Sequence, residues 1–313
     1  MTDAALDPVA AAPVQTPFRR VVSDFCENRL AVFGLMLVVL SAFVALFAPW
    51  ISPQNPFDIG ALDLLDAKSP PGTVSGDGKM TYWLGTDGQS RDMMSAIFYG
   101  MRISLMVGSV SVVAALVIGI VIGLVAAYAG GRIDAFLMRI VDIMLSFPAI
   151  LVALLVFGIA RGLTPPALHE QMTFVVMTVA IGLSNWAQYA RTVRASTLVE
   201  KRKEYVDAAR VIGLKAFPVM LKHVLPNVAG PVLVIATINL ALAVLEEATL
   251  SFLGVGMPPT QPSLGTLIRV GQQFLFSGEW WILLFPSLAL VAIALSINLF
   301  GDWLRDALNP RLR

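Results

Sequence analysis

The densest group of charged side chains in this chain lies in one polar segment, residues 191–227. Long apolar stretches flank this segment on both sides. A loop this basic is expected on the cytoplasmic side of a membrane, because Lys and Arg are enriched in cytoplasmic loops. Its cationic residues are Arg191, Arg194, Lys201, Arg202, Lys203, Arg210, Lys215 and Lys222.

Residues suited to catalysis or metal binding are scarce. The sequence has no nucleophile-elbow motif, only two histidines, and no pair of histidines at the spacing that binds zinc. The single cysteine, Cys26, excludes an internal disulfide framework and a multi-cysteine metal site. We therefore expect no catalytic residues, no metal site and no cofactor bound by this chain, and a membrane enzyme is the weaker alternative.

One short motif could suggest nucleotide binding. Gly78-Lys79 resembles the end of a phosphate-binding loop. However, Thr73 stands where the leading glycine is required, and Met80 stands where serine or threonine is required. Without that loop the chain is not expected to hydrolyse ATP, so any work must reach it through contact with another subunit.

The polar segment is patterned as two amphipathic helices joined by a turn. Apolar residues recur twice at i, i+3, i+4 and i+7, which places each set on one helix face. Gly213 lies between the sets and suits a left-handed residue that ends the first helix. Pro218 suits the first turn of the second helix, and Pro226 is expected to end it. The two stripes are Tyr205, Ala208, Ala209 and Ile212, and Phe217, Met220, Leu221 and Val224.

Such a helix pair can have two roles. It can rest on the lipid surface as an amphipathic segment. It can also lie in a groove of a soluble partner as a docking element. The pattern by itself fits both roles equally well.

Composition indicates an all-α membrane protein. Of the 313 residues, 57% are hydrophobic and 14% are charged, which is more apolar than a soluble domain. We predict six transmembrane helices, with a kink in the third at Pro148. In the second, Gly119, Gly123 and Ala127 lie four apart and should let another helix approach closely. The predicted spans are Ala31–Trp50, Ile103–Tyr128, Ile133–Ile159, Met172–Tyr189, Val228–Leu250 and Trp280–Phe300.

Positive charge predicts which segments face the cytoplasm. Of the 22 Lys and Arg residues, 16 fall in segments that are inside if the N-terminus is cytoplasmic. The opposite orientation would reverse this bias, so both termini are expected inside. The predicted regions are a cytoplasmic tail (1–30), a first transmembrane helix (31–50), an external segment (51–101), a core of five helices (102–300) that contains the cytoplasmic loop 191–227, and a cytoplasmic tail (301–313).

Polar side chains inside the predicted spans are candidates for a substrate path. Ionisable groups at membrane depth are costly, so they indicate function. The alternative is that they are hydrated or paired, since two of them lie near the outer end of the fifth span. The candidates are Asp142, Asn239, Glu246, Glu247 and Asn298.

The polar segment also carries a resemblance to a known family. Asp207–Ala209 followed by Gly213 resembles the "EAA…G" loop of permease subunits in bacterial ABC importers, with aspartate in place of the motif's glutamate. His223, Pro226 and Asn227 extend the likeness to the peptide/nickel branch. In such permeases the loop holds the coupling helix, which docks on the ATP-hydrolysing subunit. The resemblance implies this coupling role for Glu204, Tyr205, Asp207, Ala208, Ala209, Arg210, Ile212 and Gly213.

Three further stretches are similar to the same branch. Leu84–Gly108 resembles its second signature, and Glu247–Gly256 and Asn298–Arg313 resemble the C-type subunit of dipeptide/oligopeptide permeases. The resemblance therefore runs from about Leu84 to the end of the chain. It implies the transmembrane domain of a type I ABC importer, with six transmembrane helices and a cytoplasmic coupling helix.

The resemblance also implies an assembly in the bacterial inner membrane. A second homologous permease subunit would pair with this chain within the membrane lipid, and two cytoplasmic ATP-binding subunits would use ATP and Mg. A periplasmic or lipid-anchored solute-binding protein would deliver the solute, and nucleic acid is not an expected partner. Dipeptides, longer peptides, nickel complexes, glutathione-like molecules and opines all fit as solutes. A secondary transporter or channel is the alternative, but it would not explain the patterned basic helix pair.

Overall fold

The structure, a computed structural model, describes residues 23–58, 60 and 62–307. The predicted tails fall in large part on residues 1–22 and 308–313, which lie outside the described residues. In chain order the elements are α1 (Arg29–Ile51), β1 (Thr73–Val74), β2 (Thr81–Tyr82), α2 (Met93–Ala129), α3 (Gly131–Ser146), α4 (Ala149–Leu163), α5 (His169–Glu200), α6 (Glu204–Val211), α7 (Ala216–Phe252), α8 (Leu264–Gln272) and α9 (Trp281–Ala307).

Within the described residues, five helices are long and apolar enough to cross a membrane, namely α1, α2, α5, α7 and α9. The helices α3 and α4 would together form a sixth span, but the chain bends by 98° between them. The predicted kink is therefore a full break. Phe147 is extended, at φ −99° and ψ 142°, because the residue before a proline disfavours the helical region. Pro148, which has no N–H, then precedes α4.

Two helices are longer than the predicted spans. α2 begins ten residues early, because the Asp92 carboxylate caps it by accepting a hydrogen bond from the Ser95 N–H at 2.8 Å. α5 continues eleven residues beyond its predicted end. Arg191 and Arg194 therefore lie on a helix, and the predicted loop 191–227 is helical over most of its length.

The predicted second short helix of the polar segment is instead the start of a membrane-spanning helix. α7 passes both Pro226 and Pro231 without ending. A π-helical turn at Met220–Val224 precedes Pro226. This wider turn moves the preceding carbonyl groups away from the proline ring, so the helix continues past a residue that cannot donate a backbone hydrogen bond.

α2 and α5 pack closely through small residues. A Cβ added at Gly119 would lie 2.3 Å from the Cβ of Tyr189, and one added at Gly123 would lie 2.6 Å from the carbonyl oxygen of Ala190. Ala127, four residues further along α2, is also buried. The close approach predicted from this four-residue spacing is confirmed.

Residues 52–92, between α1 and α2, fold onto the ends of other elements. The Trp281 indole N–H donates to the carbonyl oxygen of Thr86 at 3.1 Å, which ties the segment to α9. The buried Arg91 guanidinium pairs with the Asp87 carboxylate at 2.6 Å and donates to the Pro259 carbonyl at 3.0 Å. The segment is therefore anchored to α9 and to the loop between α7 and α8.

A hairpin within this segment explains the Gly78-Lys79 motif. The two residues lie in the turn between the paired strands β1 and β2, with Gly78 at φ +71°. Phosphate-binding loops instead lead into a helix N-terminus.

At the end of the hairpin, burial and then the nearby Asp66 carboxylate raise the pKa of Tyr82. The Tyr82 hydroxyl therefore stays protonated and donates a hydrogen bond to the Asp66 carboxylate at 2.9 Å.

Candidate functional site

α6 is a short helix between two membrane-spanning helices, as a coupling helix requires. It begins a few residues after α5 ends and is joined to α7 by residues 212–215. Gly213 in this connection has φ +82°, and a Cβ added there would meet nothing within 4 Å. The left-handed turn predicted at Gly213 is confirmed, and glycine is required there for its conformation and not for space.

One face of α6 packs on the chain's own helices. Val206 and Ala209 are buried on this face. They belong to a cluster that includes Val193 of α5 and Val219 and Met220 of α7. The helix is therefore seated against the ends of α5 and α7 instead of projecting freely.

Glu200, the last residue of α5, connects α6 with both neighbouring helices. The Tyr205 hydroxyl donates to Glu200 Oε2 at 3.0 Å and accepts a hydrogen bond from the Asn227 amide at 3.4 Å. Lys203 Nζ lies 2.6 Å from Glu200 Oε1, and this bond raises the pKa of Lys203. Burial and then the Glu200 carboxylate raise the pKa of Tyr205, so the phenol remains a donor at neutral pH.

Lys201 extends this connection to α2. Its Nζ donates to the carbonyl oxygens of Ala127 and Tyr128, each at 3.1 Å. These are C-terminal carbonyls of α2, which have no partner within the helix, and a cation also complements the helix dipole there. Tyr205 thus holds α6 to the ends of α5 and α7, and Lys201, three residues before α6, holds the segment that leads into α6 to the end of α2. We call Glu200, Lys201, Tyr205 and Asn227 the clamp.

The opposite face of α6 and the residues after it form an exposed apolar surface. Val211 is 88% exposed, Ile212 is 77% exposed and Phe217 is 65% exposed. Clustered exposed apolar side chains mark interaction sites. We call Ala208, Val211, Ile212, Leu214 and Phe217 the tip surface.

The tip surface corrects the predicted stripes. Tyr205 and Ala209 face the chain's own helices, whereas Ala208 and Ile212 face outward. The second stripe divides in the same way, because Met220 and Val224 are buried while Phe217 and Leu221 are exposed. The four residues of the first stripe therefore do not enter a partner's groove together. The short helix uses half of its apolar residues to hold itself to its own chain.

Charged residues surround the tip surface. Glu204 and Asp207 are exposed on α6, and Lys215 and Lys222 are exposed after it. The side chain of Arg210 lies outside the described part of the structure. The arrangement is an apolar centre with a charged rim, which is the usual anatomy of a protein interface.

An open cavity of about 520 Å³ lies between α3, α5 and α7, and the predicted substrate-path residue Asn239 lines it. Its polar lining is Gln188, Arg191 and Thr192 from α5 and Asn239 from α7. Asp142 of α3 forms an ion pair with the Arg191 guanidinium. The structure thus brings Asn239 and the Asp142–Arg191 pair to one surface.

Glu246 lies further along the same face of α7. It follows Asn239 by seven residues, which is two helical turns. Its half-buried carboxylate accepts a hydrogen bond from the Asn185 amide of α5 at 2.8 Å. A polar line therefore continues from the cavity toward the end of α7 that adjoins the 253–263 loop.

Glu247 and Asn298 lie elsewhere. Glu247 is fully buried, and its carboxylate accepts hydrogen bonds from Ser104 at 2.6 Å and Ser251 at 2.7 Å. The Ser104 hydroxyl also accepts the Leu264 N–H at 3.3 Å, at the start of α8. This group joins α2, α7 and α8 and presents no carboxylate oxygen to a solute. Asn298 is exposed on α9 and does not line the cavity.

Sequence reasoning missed two residues of these sites. Glu200 was not a candidate, although one carboxylate directly before Lys201, Arg202 and Lys203 is a local signal for an ion pair. Asn185 was not a candidate either, although an amide inside an apolar span needs a partner. Both residues act through contacts that only the packing of α5 against other helices creates.

Two known families match this chain. Residues 119–313 match the family described as binding-protein-dependent transport system inner membrane component. Residues 16–71 match the N-terminal transmembrane domain of oligopeptide transport permease C. The first match covers more than half of the chain and includes α5, α6 and α7.

Curated relatives match over nearly the whole length. The dipeptide transport system permease protein DppC of Escherichia coli (strain K12) is 40% identical over 317 residues, covering 100% of both chains. The di/tripeptide transport system permease protein DppC of Pseudomonas aeruginosa (strain UCBPP-PA14) is 36% identical, covering 99% of this chain and 96% of that protein.

A solved structure shares the fold. The inward-facing MetNI methionine ABC transporter aligns with a TM-score of 0.55 at 21% identity, covering 69% of this chain and 98% of that one. The architecture is therefore that of a type I ABC importer transmembrane domain, as predicted. Together these matches show that the chain belongs to the binding-protein-dependent transport system inner membrane components and is a multi-pass permease subunit of an ABC importer.

Proposed function

We propose that the chain forms one half of a transmembrane path for dipeptides and tripeptides. Permeases named for these solutes are 36–40% identical to it over nearly its whole length, which supports the substrate class. The cavity beside α7 also suits a zwitterion. Arg191 can pair with a peptide carboxylate, and Glu246 with a peptide ammonium group.

The path is driven through α6. The observation that carries this proposal is the exposed tip surface on a helix that the clamp fixes to three other helices. Movement of a partner seated on the tip surface would therefore move the ends of α2, α5 and α7 as one body. Two ATP-binding subunits bind the ATP and Mg, and this chain binds neither.

The remaining partners follow from the same proposal. A second homologous permease subunit completes the path, and a periplasmic or lipid-anchored solute-binding protein delivers the peptide. The tip surface and both termini face the cytoplasm. The 52–92 segment faces the periplasm, on the side from which the peptide arrives.

A single charge tests the docking role of the tip surface. We expect Ile212→Asp to lower co-purification of the ATP-binding subunits at least tenfold, because a carboxylate would be desolvated in an apolar contact. Leu65→Asp is the matched control, since Leu65 is 90% exposed in the 52–92 segment. The complete transporter is purified by a tag on the second permease, and bound ATP-binding subunits are quantified.

Peptide uptake is measured in the same strains with a radiolabelled dipeptide. Uptake should fall with assembly in Ile212→Asp and stay at the parent level in Leu65→Asp. Unchanged assembly and uptake in Ile212→Asp would mean that the tip surface lies on lipid and does not dock a subunit. Normal assembly without dipeptide uptake in the parent complex would overturn the substrate class alone.

A further inference from the structure

An apolar groove of about 510 Å³ runs between α1 and α2, away from the cavity beside α7. Its walls include Ser41 and Ala42 of α1 and Met106 and Ser109 of α2, and Ile297 of α9 lies at its floor. Small side chains on both walls leave the space that larger ones would fill. The groove is almost entirely apolar, with one cation, Arg102, among its lining residues.

Arg102 is a charge inside a membrane-spanning helix. None of the ion pairs or hydrogen bonds within residues 23–58, 60 and 62–307 includes its guanidinium. It is half-buried at the groove. A cation at membrane depth is costly unless it reaches the headgroup region or binds an anion, so we expect the Arg102 guanidinium to meet a lipid headgroup or another anion.

The depth of Arg102 matches a lipid phosphate. The Gln54 N–H donates to the Ser95 hydroxyl at 3.2 Å, so Ser95 is level with the start of the 52–92 segment. Arg102 is seven residues further along α2, about 10 Å deeper. Leu46 lines the same groove, and the exposed Trp50 lies one turn beyond it, where an interfacial anchor belongs. The guanidinium can extend from the groove to the headgroup level of this leaflet.

The exposed face of α1 is suited to lipid and not to another helix. Helices that associate in membranes meet through small residues. Most small residues of α1 already face inward, since Gly34, Ser41 and Ala45 are buried, and Ala42 lines the groove. Its outward residues are large and apolar, as at Phe43 and Leu46. The groove therefore opens onto lipid.

We propose that this groove is a binding site for a phospholipid of the leaflet on the side of the 52–92 segment. One acyl chain lies in the groove between α1 and α2, and the lipid phosphodiester binds the Arg102 guanidinium. Guanidinium and phosphate pair through two parallel hydrogen bonds, which gives the site preference for a phosphorylated headgroup. The bound lipid fills the space between α1 and the rest of the chain.

Lipid titration of the purified complex tests the site. The complete transporter is stripped of lipid in mild detergent, then titrated with dioleoyl phosphatidylglycerol and followed by native mass spectrometry. Dioleoylglycerol, which has the same chains and no phosphate, is the matched ligand. The variants are Arg102→Gln, Arg102→Lys and Ala42→Phe, and the matched control is Arg161→Gln, an exposed arginine on α4. Subunit composition and melting temperature of each complex show that the variants are folded.

The parent complex should bind one phosphatidylglycerol more tightly than dioleoylglycerol. Arg102→Gln should raise the apparent dissociation constant for phosphatidylglycerol about tenfold or more, with little effect on dioleoylglycerol. The apparent dissociation constant of the Arg102→Lys complex should lie between those of the parent and Arg102→Gln complexes. Lysine keeps the charge but cannot form the two parallel hydrogen bonds. Ala42→Phe should weaken both ligands by filling the groove.

Two results would overturn the proposal. Equal binding of phosphatidylglycerol by the parent and Arg102→Gln complexes would show that the lipid phosphate does not bind Arg102. Loss of the second permease subunit from the Arg102→Gln complex would show that a carboxylate of that subunit, and not a lipid, binds Arg102. Neither result depends on peptide uptake, so the site and the transport proposal fail separately.

Discussion

Gly213 shows how one residue sets the orientation of α6. Its φ of +82° is a conformation that only glycine adopts at no cost, and the space around its missing side chain is open. Replacement therefore changes the backbone without causing a clash. The turn fixes how the tip surface, which continues through Phe217, is presented to a partner.

The effect of a substitution at Gly213 on peptide uptake should depend on how readily the new residue adopts the left-handed conformation. Gly213→Val should lower peptide uptake severalfold, because a β-branched residue in this region costs about 1–3 kcal/mol and the turn would relax. Gly213→Asn should remain near the parent level, since asparagine tolerates the left-handed region. Gly162→Val is the control, because Gly162 also has open space but lies within the helix α4. Equal uptake in the Val and Asn variants would contradict the role of this backbone conformation.

The neighbours Glu246 and Glu247 show what single residues do not reveal. Both are carboxylates in an apolar span, and the sequence predicts one role for both. They point about 100° apart on α7. Packing alone decides that Glu246 follows the cavity face, whereas Glu247 is buried among Ser104 and Ser251. Gly213 was predictable because its requirement is local, and the division between the two glutamates was not because it depends on neighbouring helices.

At the scale of elements, the clamp separates docking from transmission. The tip surface can bind a partner through its exposed apolar side chains alone. Movement reaches the membrane only if α6 is held to the helices behind it. Lys201 makes the link to α2, whereas Tyr205 makes the link to α5 and α7. Loss of one link should weaken transmission and leave assembly intact.

Removal of the Lys201 ammonium group tests this separation. Lys201→Met should leave the ATP-binding subunits bound, because Lys201 is not part of the tip surface. Peptide transported per ATP hydrolysed should fall about tenfold, as expected when charge-assisted hydrogen bonds worth about 1.5–3 kcal/mol are lost. Lys79→Met is the matched control, since the Lys79 side chain is 83% exposed in the hairpin and belongs to neither the clamp nor the rim of the tip surface. Assembly and the ratio of peptide transported to ATP hydrolysed are measured in proteoliposomes. A Lys201→Met complex with the same ratio as the parent complex would contradict the rigid clamp.

The prolines show why helix ends were harder to predict than helices. Pro148 separates two helices at 98°, while Pro226 and Pro231 leave α7 unbroken. The local chemistry is the same at each position, since every proline lacks an N–H. At Pro226 the helix continues after a π turn, and nothing in the residue pattern predicts that turn. The apolar segments that predict the spans are properties of whole stretches of chain, and within the described residues five helices are long and apolar enough to cross a membrane.

At the scale of the whole molecule, two ordered polar structures lie at opposite ends of the helices. The 52–92 segment is anchored by Trp281 and Arg91 at one end, and α6 is held by the clamp at the other. The proposed peptide path needs both ends, because the proposal places peptide delivery and ATP hydrolysis on different sides of the membrane. The charge distribution predicts that the basic end faces the cytoplasm. The assignment is open to a direct test.

Cysteine labelling decides the orientation. Lys79 in the hairpin suits labelling, because its side chain is 83% exposed. Lys79→Cys in a Cys26→Ser background should react with a membrane-impermeant maleimide in intact cells whose outer barrier is permeable. Cys26→Ser is needed because Cys26 is itself an exposed thiol. Lys222→Cys in the same background is the control and should react only after lysis. If Lys222→Cys labels in intact cells and Lys79→Cys does not, the tip surface faces the periplasm, and no cytoplasmic ATP-binding subunit can reach it.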